Sequence, residues 1–344
     1  GDTKASVLTE DGIQVDLRIV DAKSYGAALA YFTGSKEHNV RLREMAVKMG
    51  LKLNEYGLFK GEKIIAGETE EEVYEALKLP YIPPELREDT GEIEAGLKGK
   101  LPELIELSDI RGDLHAHTKW SDGEASVEEM ALAAKELGYE YMSVSDHSTS
   151  LRIAGGLSHK ELPQQKTEII KAAKKAGGLV IFTSSEVDIK PDGSMDFPDE
   201  VLSGLDIVIA SVHTSFGQDK KTMTARIIRA MQNKHVDIIG HLTGRLLGER
   251  EGYEVDIQEI MKAAKDTGTA LELNSFPARL DLNDAHCRLA KEYGVKVCIN
   301  TDAHDTAQLK WMAYGVITAR RGWLEKKDVL NTLSASDLLK WSKR

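Results

Sequence analysis

Nine side chains able to ligate a metal, His115, His117, Asp122, His147, Glu186, His213, His241, Asp302 and His304, follow one another at the ends of short apolar runs between residues 110 and 304. Imidazole with carboxylate is the donor set of zinc, manganese and iron, and no cysteine stands among them, so a closed structural zinc site is not expected. Nine donors exceed the needs of one ion. Two or three divalent ions, Mn or Zn with Fe also suited, are therefore expected, with Glu186 a natural bridge because a carboxylate has two oxygens to share. Paired ions roughly 3.5–4 Å apart clamp the attacking and leaving oxygens of a phosphoryl displacement and bring the pKa of bound water toward ~7. The expected nucleophile is a metal hydroxide, with no serine or cysteine required, and Glu186, Asp302 and His213 are assigned to the reaction centre. The chain has ten histidines. His38, His159, His235 and His286 lie in helical or linking segments and are read as ordinary structural or surface residues.

Strand ends must position these donors, because in barrels of parallel strands the chemistry sits at the C-terminal face. From residue 109 the chain alternates apolar runs with helical patterns. The runs are DIRGDLHAH, YMSVSDH, LVIFTSSEV, DIVIASVH, VDIIGH, ALELNS and KVCINTDAH. Their lack of clean polar alternation fits strands buried on both faces. Between them, segments such as VEEMALAAKELG, ELPQQKTEIIKAAKKAG, IQEIMKAAKDTG and NDAHCRLAKEYG have helical period and close on a glycine. Seven strand–helix units suffice to close a barrel, and six of the strands end in a ligand-type residue; the sixth in order ends near Asn274. Arg245 and Arg279 follow the fifth and sixth strands, where a guanidinium fork suits a substrate phosphate. The bland alternative for each is a salt bridge with a nearby carboxylate.

At 344 residues and 41% hydrophobic, the chain has room for more than one domain or for a barrel with an appendage. Its net charge of −11 argues against a general nucleic-acid binder and points to contacts confined to a groove. Short basic runs, Lys36, Arg41 and Arg43 or Arg320 and Arg321, read as solvated helix faces. Cys287 and Cys298 are expected to be reduced thiols. No apolar segment approaches the ~20 residues of a membrane span, and GDTKASVLTE is not a signal peptide, so a cytoplasmic protein without membrane contact is expected.

Residues 1–80 are organised differently. IQVDLRIV is expected to be a half-buried strand from the middle of a sheet, SYGAALAYFTG a short helix broken at Gly34, EHNVRLREMAVKMG an amphipathic helix ending on Gly50, LKLNEYGLFK a strand, and TEEEVYEALKL a helix capped by Thr69. The proline-, glycine- and acid-rich stretch that follows predicts a connector over 81–108. The barrel is assigned to 109–344.

DLHAHTKWSDG, SDH, TSSEV, SVH, GHLTGR and TDAH, in this order and spacing, resemble the PHP (polymerase and histidinol phosphatase) domain from about residue 109 to the C-terminus. VDLR, YFTGSKEHN and LNEYG resemble the palm end and thumb of a family X DNA polymerase. Together they look like the C-terminal part of a bacterial or archaeal family X polymerase carrying a PHP domain. The implied fold class is α/β, a distorted (β/α)7 barrel preceded by a small α/β palm-end and thumb fragment. The resemblance implies one ion on His115, His117, Glu186 and Asp302, a second on Glu186, His213 and His241, and a third on Asp122, His147 and His304. It also implies 3′-to-5′ exonuclease or related DNA 3′-end processing with Mn or Zn, on single-stranded or gapped DNA. Leu242 departs from the pattern, in which proline would follow His241. Asp16 resembles the third of three polymerase aspartates that would hold Mg in a complete protein, the strand for the other two being expected upstream of Gly1. Tyr31, Phe32, Gly34 and Asn39 resemble residues lining the incoming nucleotide, and Arg43 one touching template. The chain is thus expected not to polymerise and to bind nucleotide weakly if at all. Two alternatives are a small-molecule phosphatase of the histidinol phosphate type, which leaves the thumb unexplained, and a non-catalytic module stabilising a polymerase, which usually lacks ligands.

Overall fold

A computed structural model describes residues 3–342. The chain divides into two compact units, Gly1–Pro102 and Glu103–Arg344.

The first unit opens with an antiparallel hairpin, β1 (Lys4–Leu8) and β2 (Gln14–Arg18), in which Val7 faces Val15 and Ser6 faces Asp16. Every residue of β2 is exposed, which corrects the half-buried expectation. Apolar alternation predicts burial only where a second layer covers one face, and nothing in this unit covers the ribbon. Helix α1 (Tyr25–Thr33) stops at Gly34, whose φ of 75° suits glycine, and α2 (Lys36–Lys48) starts on Ser35, whose hydroxyl accepts from the His38 amide. The single strand expected at 51–60 is instead a hairpin, β3 (Lys52–Asn54) and β4 (Gly57–Lys60), extended by β5 (Lys63–Ala66) into a three-stranded antiparallel sheet. Asn54 Oδ1 accepts from the Tyr56 amide at 3.0 Å and turns the chain there. Helix α3 (Glu70–Ala76) is capped by Thr69 as its sequence predicts, through Oγ1 to the Glu72 amide.

The stretch read as a connector is packed. It carries a helix, α4 (Glu92–Leu97), and Ile82, Leu86 and Ile93 are buried. Arg87, 1% exposed, bonds Glu70 Oε1 at 2.6 Å and the Ile82 carbonyl at 2.9 Å. Buried Glu92 meets His38 Nδ1 at 2.6 Å, and His38 Nε2 lies 2.9 Å from the Tyr74 hydroxyl. The acidic residues that suggested a loop are thus partners in a buried polar network, and His38 has the structural role assigned to it.

The second unit is a barrel of seven parallel strands, hydrogen-bonded in chain order: β6 (Gly112–Asp113), β7 (Tyr141–Val144), β8 (Val180–Asp188), β9 (Ile207–Ser211), β10 (Ile238–Ile239), β11 (Ala270–Asn274) and β12 (Val297–Asn300). A parallel bridge between Ala116 and Ala303, with the His117 amide 2.8 Å from the Ala303 carbonyl, joins the first and last strands. Asn331 stitches the same pair by accepting from Ile299 N and donating to Gly112 O and Ile299 O. Around the strands run α5 (Val127–Glu136), α6 (Leu162–Lys175), α7 (Asp199–Leu202), α8 (Lys220–Met231), α9 (Ile257–Thr267), α10 (Asp284–Tyr293), α11 (Met312–Arg321) and α12 (Ala335–Ser342). Side chains of Ser126, Asp219, Asp256 and Asn283 cap four of these helices.

The period of two along each strand sorts side chains between two cores. Met142, Val144, Val208 and Ala210 pack in the larger cluster with residues of the helices, such as Met130, Ile227 and Ile260. Tyr141, Phe182, Ile207, Ile209 and Ala270 fill a second cluster, joined by Leu330 and Leu338 from the C-terminal segment. Glu186 and Glu272 have the inward parity of Phe182 and Ala270, so the barrel turns both carboxylates into its interior. Cys287 and Cys298 are buried free thiols. Among the described residues, no helix is long and apolar enough to cross a membrane.

Candidate metal centre

All nine predicted donors converge where the strands end. Glu186, 1% exposed, is the hub. Its Oε1 lies 2.8 Å from His241 Nε2 and 3.3 Å from His213 Nε2. Its Oε2 lies 2.9 Å from His147 Nδ1, 3.3 Å from His115 Nε2 and 3.6 Å from His117 Nε2. Asp302 Oδ1 sits 3.0 Å from His117 Nε2 and 3.6 Å from His115 Nε2. Asp122 reaches His304 at 3.4 Å and His147 at 3.5 Å.

Within this cluster three overlapping groups have ligand atoms mutually within 4.8 Å: His115, His117, Glu186 and Asp302; His147, Glu186 and His213; and His117, Asp122, His147 and His304. The first is the set implied by the sequence. The second contains His147 where His241 was expected, although His241 still touches the shared carboxylate, and the third gains His117. His159, His235 and His286 stand outside every group.

The donors fit a cation. His117 Nδ1 and His241 Nδ1 are buried without a hydrogen-bond partner, and His115 Nε2 and His147 Nδ1 approach Glu186 Oε2 at 3.3 and 2.9 Å without hydrogen-bond geometry, an arrangement costly for polar atoms unless a further group satisfies them. The electrostatics agree. Burial opposes charge on His147, yet Glu186 and Asp122 raise it to about 10. The same opposition at His213, with Glu186 and Asp188, raises it to about 9. His117, buried and faced by His147 and His304, falls to about 3 and is neutral. The carboxylates thus draw positive charge into the cluster. Among the nine, Asp122, His304 and His213 keep 34%, 32% and 12% side-chain exposure, so the centre opens on their side.

Further residues orient these donors, and the motif reading passed over them. Glu272 Oε1 lies 2.7 Å from His115 Nδ1, and its Oε2 accepts from the His241 amide at 2.8 Å. Asp188 Oδ1 lies 2.5 Å from His213 Nδ1. Asp146 accepts from the Thr118 amide and from the hydroxyls of Thr118 and Ser121, fixing the turn before Asp122. Asn274 donates to Asp302 Oδ2 at 3.0 Å. The available signal was a charged residue at an inward position of an apolar strand, as in ALELN and SSEVD. His241 and Asp302 have φ of 24° and 55°, left-handed values that cost roughly 1–3 kcal/mol each and concentrate at functional sites. At the expected proline position, Leu242 is fully buried. The turn is held instead by Asp281 Oδ2, which accepts from the amides of Thr243 and Gly244, so His241 still reaches Glu186.

Residues 28–88 match the DNA polymerase beta thumb, and residues 113–276 match the PHP domain. A "Probable phosphatase" of Thermoanaerobacter sp. (strain X514) is 31% identical over 236 residues, 64% of this chain and 89% of that protein. The chain belongs to the PHP family. The "DNA polymerase/3'-5' exonuclease PolX" of Bacillus subtilis (strain 168) is 46% identical over the whole chain, which spans 61% of that relative's length. Thumb followed by PHP domain is consistent with the C-terminal part of a family X DNA polymerase. The PHP match stops before Asp302 and His304, which the geometry joins to the other donors.

Arg245 and Arg279 differ in their contacts. Arg279 lies beside the centre, its Nε 3.5 Å from Asp302 Oδ2. Arg245 donates from Nε to the Arg279 carbonyl at 2.8 Å and from a terminal nitrogen to the Leu280 carbonyl. Its fork thus holds the loop that carries Arg279. In the thumb unit, Tyr31, Asn39 and Arg43 line one small cavity, and Asn39 donates to the Tyr31 carbonyl. Phe32 lies under the Arg18 guanidinium, Gly34 ends α1, and Asp16 pairs with Lys4 at 3.1 Å. Asp16 belongs to no cluster of ligand-type residues among those described.

Proposed function

We propose that the chain is a metal-dependent phosphoesterase that processes DNA 3′ ends, chiefly as a 3′-to-5′ exonuclease. The observation carrying this reading is the three overlapping ligand groups built around Glu186 at the open end of the barrel. His115, His117, Glu186 and Asp302 would hold one ion, Glu186 and His213 with His147 or His241 a second, and Asp122, His147 and His304 a third. Zn or Mn suits this donor set, and Fe is compatible with it. Divalent ions bound there supply Lewis acidity and acidify bound water. The chain's own part is to hold Glu186, Asp302 and His213 in place through Asn274, Asp188 and the barrel wall, and to bring the Arg279 guanidinium to a substrate phosphate. DNA as substrate is supported by the thumb on the same chain and by the name of the Bacillus relative. Nucleotide incorporation is not proposed, since Asp16 belongs to no group of three or more ligand-type side chains among the described residues. Nucleotide binding would be weak.

A second reading, hydrolysis of a small phosphomonoester, is favoured by the Thermoanaerobacter relative named a phosphatase. Incubating the Mn-loaded chain with labelled single-stranded DNA beside a small phosphomonoester, with Asp302→Ala as control, separates the two. Metal-dependent shortening of DNA from its 3′ end, lost in the variant, is expected. Intact DNA with a cleaved monoester would overturn the DNA reading.

A further inference from the structure

Beside the metal centre lies an open cleft of about 220 Å³, lined by Phe276, Arg279, Asp302, His304, Gln308 and Trp311. Phe276 and Trp311 are half-buried, with ring centroids 5.0 Å apart at 34°, and form one continuous aromatic wall. Neither ring is part of the barrel's core clusters, so core packing does not account for two large aromatics at the catalytic end. In the same cleft, Arg279 Nε is buried without a hydrogen-bond partner while lying 3.5 Å from Asp302. Gln308 is already engaged, accepting from the His304 amide at 2.8 Å and donating to Asp305 at 2.7 Å.

We propose that this cleft is the subsite for the 3′-terminal nucleoside of a DNA strand, its base lying on the Phe276–Trp311 wall and the adjoining phosphate on Arg279. An aromatic face stacks with any base, and the Gln308 amide is turned to His304 and Asp305. The subsite therefore retains a terminal nucleoside with little base preference. This inference rests on the phosphoesterase reading of the neighbouring centre.

Two measurements on the full chain test it. The first is anisotropy of 5′-labelled oligothymidylate with Ca²⁺ replacing Mn²⁺, comparing an ordinary 3′ end with one whose last residue is a baseless tetrahydrofuran. The second is KM for Mn²⁺-dependent cleavage of the same pair. The wild-type chain should bind the ordinary end about tenfold more tightly, the scale of base–aromatic stacking. Trp311→Leu and Phe276→Leu should erase that preference with metal content unchanged, whereas Trp311→Phe should keep it. Equal binding of the two ends by the wild type, or a preference surviving in both leucine variants, overturns the subsite. If no DNA is cut, the function proposed for the centre fails, and anisotropy still decides the cleft.

Discussion

Glu272 on β11 and His115 just after β6 form a buried pair, Oε1 to Nδ1 at 2.7 Å. The contact leaves His115 Nε2 facing Glu186 and Asp302, so a residue outside the ligand set decides which nitrogen of His115 is presented. Carboxylates that orient a liganding imidazole typically contribute 10–100-fold in metal affinity. Glu272→Gln keeps the volume and removes the charge. It should weaken metal binding about tenfold or more, read by competition with a chromogenic chelator on protein whose circular dichroism is unchanged. Wild-type affinity in a folded variant would sink this role.

Glu186 directs its two oxygens to different imidazoles, His241 and His213 on one side, His147, His115 and His117 on the other. Its loss should therefore cost more than one ion, whereas a donor at one edge should cost no more than one. Plasma mass spectrometry of Glu186→Gln and His304→Ala, loaded identically, should show the larger deficit in the Glu186 variant. Equal deficits would remove the bridging role.

Arg279 approaches the centre directly and Arg245 only through the Arg279 and Leu280 carbonyls. A charge-assisted hydrogen bond contributes ~1.5–3 kcal/mol, so Arg279→Ala should raise KM for DNA roughly 10- to 100-fold. Lysine should restore only part, because it lacks the planar fork. Arg245→Ala should produce a smaller KM effect and a loss of thermal stability, since it unpairs backbone carbonyls. A larger KM effect at Arg245 would reverse the assignment.

In the thumb unit, burial alone would raise the Glu92 carboxyl. The His38 hydrogen bond and local amides win, holding it below its usual 4.5. A depressed carboxylate stabilises the fold above its unfolded pKa, and that contribution is lost as pH falls through the folded value. Glu92→Gln should cost about 2 kcal/mol near neutrality, the scale of a buried charge-assisted hydrogen bond. The gap between wild-type and variant melting temperatures should narrow once pH falls below 4.5. A constant gap down to strong acid would show that the carboxylate's charge is not what matters.

The sequence alone determined the barrel and its donors. Buried parallel strands are written as apolar runs, and a donor at the end of each run lies at the same end of the barrel, because parallel strands share a direction. That logic placed the nine ligand-type side chains at one end of the barrel and the helices between the strands. It failed where an outcome depended on what packs against what. The alternating β2 is exposed for want of a covering layer, and the acidic stretch after Pro80 is packed because Glu92 meets His38. Only the tertiary structure decided that Glu272, Asp188 and Asp146 steady the donors, that His147 joins Glu186 and His213, and that Phe276 and Trp311 form a wall beside Asp302. Such pairings join residues far apart in the chain, and local spacing carries no record of a contact made only when the barrel closes.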